Sequence, residues 1–342
     1  SAFTTKTSVY ALIRGFAGSE ILIYFGLIMI FYGIIYALLE NDIRRILAYS
    51  IVNQVGFMLV GIGIGTQLSI NGAITHAFAH IIYKALLLMS AGSVIYMTQK
   101  RRCTDVGGLY RTMPITTICG IIGALAISSF PLTSGFTTKS MIVSAAAYEH
   151  LFNVWILLVA ASAGVFLHAG IKFPWFVFFQ KDSGLRPEEP PKNMLLAMVL
   201  LSLLCVLFGI FPNLLYQLLP FDKLYIPYTS DHVIFQLQLL LFAGLAFFVM
   251  LPWLKRTLTI TLDFDWFYRR GLIKLLDTLK KVISSYDIFI NNIISNLKIF
   301  FHNRISNSFN TETGVGKNHW MTGNMVFALS LILLIYLMVL LF

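Results

Sequence analysis

"THAFAHIIYKALLLMSAG", residues 75–92, is an apolar run that carries His76, His80 and Lys84 at strict four-residue spacing. On a helix of 3.6 residues per turn, each step of four drifts by only about 40°, so the side chains form a shallowly twisted row about 12 Å long. The surrounding segment, 71–97, is long enough to cross a hydrocarbon layer of ~30 Å. A charge at mid-membrane costs ~2.5–3.5 kcal/mol, and such groups mark ion paths or proton relays. Histidine titrates near neutral pH and a desolvated lysine can load and release a proton, so the row suits stepwise proton hopping. The competing reading is a pair of histidines satisfied by neighbouring backbone. Zinc binding by this pair lacks a third ligand.

The whole chain fits this setting. Of 342 residues, 58% are hydrophobic and 12% charged, with a net charge of +10, where a soluble domain has about a quarter charged. The mean hydropathy is +0.79. The expected fold class is therefore an all-α polytopic membrane protein. Cys103, Cys119 and Cys205 have no metal-ligand spacing and imply no disulfide framework. There is no phosphate loop, nucleophile elbow, haem-attachment motif or HExxH, so no cofactor, resident metal or catalytic site is expected, and no nucleic acid as partner. The opening "SAFTTKTSVYALIRGF" is too short for a free-standing span and reads as a chain that opens inside a helix.

Spanning segments are expected at 21–39, 46–65, 71–97, 151–179, 193–219, 231–252 and 325–342. Residues 113–149 are too long for one ordinary crossing and too short for two with a loop. "SSFPLTSGFTTK" interrupts them, and Pro131 and Gly135 disturb the backbone ladder. This predicts one crossing by a broken helix facing protein or a water-filled cavity. With the partial helix at the start, about nine crossings result. Threaded alternately, they place Arg44, Arg45, Lys100, Arg101, Arg102, Arg111, Lys181, Arg186 and Lys192, with the basic residues from Lys255 to Lys317, on one side. Only Arg14 and Lys223 fall on the other. The first side is expected to be cytoplasmic and the C-terminus outside.

Four lysines remain inside spans: Lys6, Lys84, Lys139 and Lys172, and no carboxylate joins them there. Lys6 lies eleven residues before Ala17 and Lys139 eleven before His150, placing both about 16 Å deep. With Lys84 at the middle of its span, three helices each bring a lysine to one depth, and the expected relay is Lys6, His76, His80, Lys84 and Lys139. Lys172, in "HAGIKFPWF", is expected to snorkel from near a helix end.

Between the last two spans, Leu276, Leu279, Ile283, Tyr286, Ile290, Ile293, Leu297 and Phe300 recur at helical spacing with basic residues between them. Residues 272–301 are expected as an amphipathic helix along the cytoplasmic surface, on anionic lipid or on helix ends of this or a neighbouring subunit. "DFDWFYRRG" at 263–271 begins it, with Trp266 and Tyr268 as interfacial anchors. The expected divisions are a half-channel repeat at 1–179, additional spans at 180–252, the lateral helix and linker at 253–324 and a last span at 325–342.

"ENDIRRILAYSIVNQVGFML" at 40–59, "THAFAHIIYKALLLMSAGSV" at 75–94 and "FPLTSGFTTKSMI" at 130–142 resemble the hallmark segments of the proton-conducting antiporter-like membrane subunits. That family comprises the D and A subunits of Mrp-type sodium/proton antiporters, the large membrane-arm subunits of respiratory complex I, and relatives in membrane-bound hydrogenases. The resemblance implies that Lys6, Lys84 and Lys139 are the family's midplane bases. "TKTSVYALIR" at 5–14 is most similar to the Mrp D subunit, whereas the lateral helix and last span resemble the longest complex I antiporter-like subunit. Arg44 stands where many complex I members have lysine, which weakens a proton-transfer role there. The implied partners are other subunits of a membrane antiporter or complex I-like assembly, an N-terminal half-channel absent from this chain, protons and a monovalent cation such as Na+. The implied location is a bacterial plasma (inner) membrane. Against an antiporter subunit or a redox-driven pump subunit stands a purely structural scaffold, which has no use for midplane charge.

Overall fold

The computed structural model describes residues 3–221, 225–252, 266–308 and 321–341. The basic residues Lys223, Lys255, Arg256 and Lys317, and the first residues of the "DFDWFYRRG" cluster, lie outside them. The chain divides into two compact units, Ser1–Thr261 and Leu262–Phe342.

The first unit is helical throughout its described elements. It contains α1 (Thr4–Phe16), α2 (Ile21–Leu39), α3 (Ile43–Ile64), α4 (Gln67–Thr98), α5 (Pro114–Ile127), α6 (Ser134–Tyr148) and α7 (Phe152–Val165). α7 continues as π-helical turns over Phe166–Lys172 and Trp175–Phe179. α8 (Lys192–Ile210), the one-turn α9 (Asn213–Tyr216) and α10 (Ser230–Met250) complete it. Two spans begin earlier than apolar character alone suggests because a side chain caps each. Asp42 accepts from the Arg44 and Arg45 amides at the start of α3, and Thr66 accepts from Ser69 N at the start of α4. The segment expected at 193–219 instead stops at Ile210. Pro212 lacks a backbone donor and disfavours helical geometry at Phe211 before it.

α3 is the central helix, packed on α1, α2, α4 and α6, and α4 in turn contacts α5, α6 and α8. α8 and α10 turn apolar faces outward, with Leu203 62% and Leu241 67% exposed, as lipid-facing helices do. Among the described residues, seven helices are long and apolar enough to cross a membrane, with α7 counted through Phe179. The protein is an all-α polytopic membrane protein.

In the second unit, π-helical turns at Phe267–Gly271 lead into α11 (Leu272–Ser308), and α12 (Thr322–Leu341) follows. α11 runs seven residues past the expected 301, a length of about 55 Å at 1.5 Å per residue. Its described side chains are exposed within the unit.

Residues 128–133 separate α5 from α6. Pro131 lies in this gap, and Ser129 (φ 59°) and Leu132 (φ 69°) take left-handed conformations that L-residues adopt at a cost. The gap satisfies much of its own backbone. Phe130 N bonds Leu125 O at 3.0 Å, and the Ser128 and Thr133 hydroxyls donate to the Ala124 and Phe130 carbonyls at 2.6 Å. Gly135, expected within the break, is instead the second residue of α6. Its missing side chain permits a close approach, since a Cβ there would fall 1.8 Å from the Ala126 carbonyl oxygen. Gly209 of α8 likewise covers the gap, where a Cβ would meet Leu132 O at 2.3 Å.

Candidate functional site

The α4 row faces α3 and α6 and is fully enclosed, with His76, His80 and Lys84 each 0% exposed. His76 Nε2 lies 2.9 Å from Gln54 Oε1 on α3, and its Nδ1 lies 3.2 Å from Thr138 Oγ1 on α6. The Tyr83 hydroxyl donates to the same Gln54 oxygen at 3.3 Å. The His80 ring sits 5.2 Å from the Tyr83 ring and 6.5 Å from that of His76. Neither His80 nitrogen nor Lys84 Nζ has a hydrogen-bond partner among the described residues. Leaving such groups buried and unpaired costs free energy, which is why they are rare outside functional sites.

Lys139, on the second turn of α6 and 1% exposed, also lacks a hydrogen-bond partner among the described residues. Its ammonium lies over the Phe57 ring of α3, 4.5 Å from the centroid, in the geometry of a cation–π contact. Lys6 is 9% exposed and donates to Thr5 Oγ1 at 2.9 Å. Its charge reaches His76, His80 and Lys84, while that of Lys139 reaches His76. Lys6, His76, His80, Lys84 and Lys139 thus share one electrostatic neighbourhood.

Lys172 departs from the expectation of snorkelling. It is 4% exposed and donates to the carbonyls of Ala37, Leu38 and Glu40 at 2.6, 2.6 and 2.8 Å. These are carbonyls at the C-terminal end of α2, which a helix leaves without internal donors, so Lys172 caps α2 from α7.

Several participants escaped sequence reasoning. Gln54, Tyr83, Thr138 and Phe57 touch the row or Lys139, and the adjacent amides Asn53 and Gln54 in the middle of an apolar span were an available signal. His168 was another. It lies in the π-helical part of α7, 0% exposed, with Nδ1 donating to Gly164 O at 2.8 Å and Nε2 unpartnered among the described residues. The charges of Lys84, Lys172 and Lys139 reach it.

A cavity of about 400 Å³ opens beside Lys139 between α6, α7 and α10. Ser129, Ser140, Asp231, His232 and Gln236 line it with Lys139. The Ser129 hydroxyl is buried without a partner among the described residues. Gln236 reaches across to the Ser128 carbonyl in the helix gap at 3.4 Å.

An all-α membrane fold built around a broken helix and buried, unpaired bases defines the class. Residues 2–166, just under half of the chain, match the family described as NADH:quinone oxidoreductase/Mrp antiporter, TM. It is 34% identical over 226 residues to the D subunit of the Na(+)/H(+) antiporter of Alkalihalophilus pseudofirmus, covering 62% of this chain and 45% of that protein. It is 40% identical over 139 residues to the NADH-ubiquinone oxidoreductase chain 5 of Mammuthus primigenius, covering 40% and 22%. A chain in the structure of the membrane-bound sulfane sulfur reductase, an archaeal respiratory membrane complex, superimposes with a TM-score of 0.58 at 25% identity, covering 93% of this chain and 55% of that one. The chain spans less than half the length of these two curated relatives.

Proposed function

We propose that this chain is a proton-conducting half-channel of a multi-subunit monovalent cation/proton antiporter, moving protons along Lys6, His76, His80, Lys84 and Lys139. The observation that carries the reading is the set of enclosed bases without hydrogen-bond partners among the described residues, His80, Lys84 and Lys139, beside a polar-lined cavity. Without a hydrogen bond among the described residues, such a lysine is not locked in its charged form, which is what a carrier requires. Protonating one member raises the cost of protonating the next through like-charge repulsion, so charge moves stepwise along the membrane plane. The cavity offers Lys139 a way out toward the ends of α6 and α10, the outer side by the distribution of basic loops. On the same rule α11 lies along the cytoplasmic face. The 34% identity to the D subunit of an antiporter supports this reading.

A second reading is favoured by the 93% coverage against the respiratory complex. There the same half-channel serves a redox-driven pump whose electron chemistry resides in other chains. The deciding experiment reconstitutes the native complex in vesicles. Proton movement driven by an imposed Na+ or K+ gradient supports the antiporter, and acidification only on adding reductant and acceptor supports the pump. Proton movement unaffected by Lys84→Ala removes both readings.

A further inference from the structure

The hydrogen bonds around His76 determine which ring nitrogen exchanges a proton. The chain of bonds starts at backbone, where Asn53 Nδ2 donates to the Ile30 carbonyl at 3.1 Å. This fixes the Asn53 amide, whose Oδ1 accepts from Gln54 Nε2 at 2.7 Å. Gln54 is oriented in turn, so its oxygen meets His76 Nε2 at 2.9 Å. An amide oxygen can only accept, and at 2.9 Å it is nearer to Nε2 than is the Tyr83 hydroxyl at 3.4 Å, which itself donates to the Gln54 oxygen; Nε2 is therefore assigned a hydrogen in either charge state. Asn53, Gln54, His76 and Tyr83 are each 0% exposed, so solvent does not replace these partners.

The other nitrogen faces a group that can change role. Thr138 Oγ1 lies 3.2 Å from Nδ1 and 2.9 Å from the Ser134 carbonyl, and a hydroxyl has one hydrogen and free lone pairs. We propose that Thr138 is a positioning residue that completes the hydrogen bonding of His76 in both its neutral and its protonated form, with Nδ1 as the exchanging atom. In the neutral ring the hydroxyl donates to Nδ1. Protonation adds one hydrogen at Nδ1, which donates to Oγ1, and the hydroxyl hydrogen turns to the Ser134 carbonyl. That carbonyl is not orphaned in the neutral state, because the Thr137 hydroxyl donates to it at 3.1 Å. The groups whose charge acts on the ring are Lys139 from α6 and Lys6 from α1; on the same helix the ring faces His80, 6.5 Å away between centroids, and the Tyr83 hydroxyl, 3.4 Å from Nε2, while α3 contributes amides only. Thr138 immediately precedes Lys139, so this hydroxyl joins the α4 row to the helix that carries the last lysine.

The inference rests on the row being a proton relay, and its test separates the two. In the full chain with ¹⁵N-labelled histidine, neutral His76 should show the Nε2–H tautomer, with the Nδ1 resonance moving on acidification. In the reconstituted complex, Thr138→Val should lower transport about tenfold, the loss expected when one buried partner is removed, at unchanged subunit abundance. Thr138→Ser should stay within about twofold, because it keeps the hydroxyl. Neutral His76 in the Nδ1–H tautomer overturns the proposal, whatever the variants do. If His76→Gln abolishes transport while Thr138→Val does not reduce it, this inference fails and the relay stands. If His76→Gln transports normally, the relay reading itself fails.

Discussion

Lys172 and Lys84 are both lysines enclosed within membrane helices, 4% and 0% exposed, yet they are held in opposite ways. Lys172 donates to three carbonyls at the end of α2 within 2.8 Å. Lys84 has no hydrogen-bond partner among the described residues. Burial therefore does not distinguish the two lysines, and partnership does. On the relay proposed above, the bonded Lys172 would be a structural cation and the unbonded Lys84 a carrier.

The contrast can be broken most directly at Lys84. Lys84→Ala should bring transport by the reconstituted complex to background with assembly retained. Lys84→Arg should fail equally, since arginine does not release its proton; near-normal transport by that variant would make Lys84 a structural cation like Lys172. Lys172→Met should do the converse. Orphaning the carbonyls of α2 costs about 1–3 kcal/mol, read as a lower thermal midpoint and reduced subunit abundance, while transport per assembled complex persists. A loss of transport at normal abundance would place Lys172 among the carriers.

The intermediate case is Lys139, which has an aromatic face as its partner. Phe57→Leu removes a contact worth up to about 2 kcal/mol when desolvated. Transport should then fall measurably, while Phe57→Tyr keeps it; unchanged transport in the leucine variant would deny the ring any hold on the charge. The smallest effect belongs to the exposed loop. The Arg186 guanidinium and then the Gly184 amide hold the Asp182 carboxyl well below the usual carboxylate range. That contribution is present above the ordinary aspartate value, ~3.9, and is lost as pH falls further. Solvent screens so exposed a pair, and Asp182→Asn should leave transport at pH 7 unchanged and the thermal midpoint only slightly lower.

The spans and the interruption at Pro131 were legible because hydropathy and backbone chemistry are properties of the local chain. The α4 row was legible for the same reason, as four-residue spacing fixes a helix face. What the row touches was not. Gln54 and Thr138 become its partners only through the packing of α3 and α6 on α4, and no pattern within one helix encodes that. Phe57 is one of 29 phenylalanines, with nothing to mark it until Lys139 lies over its ring. The error at Lys172 has the same origin, since its acceptors belong to a helix more than 130 positions earlier in the chain. Gly135 was misassigned because glycine can mark either a break or a close contact, and here the Ala126 carbonyl decides for contact.

The π-helical stretch of α7, Phe166–Lys172, spreads its turns over more residues than an α-helix. It therefore takes up about one residue more than an α-helical stretch covering the same angle. Deleting one residue within it would let the helix rewind to ordinary pitch while the residues downstream keep close to their present facing. Lys172 would stay near the end of α2, and the aromatic run at 175–179 would keep its side of the rod. The loss of one residue in this stretch is thus absorbed by the pitch, whereas the same loss in the α-helical part of α7 would turn everything downstream by about 100°.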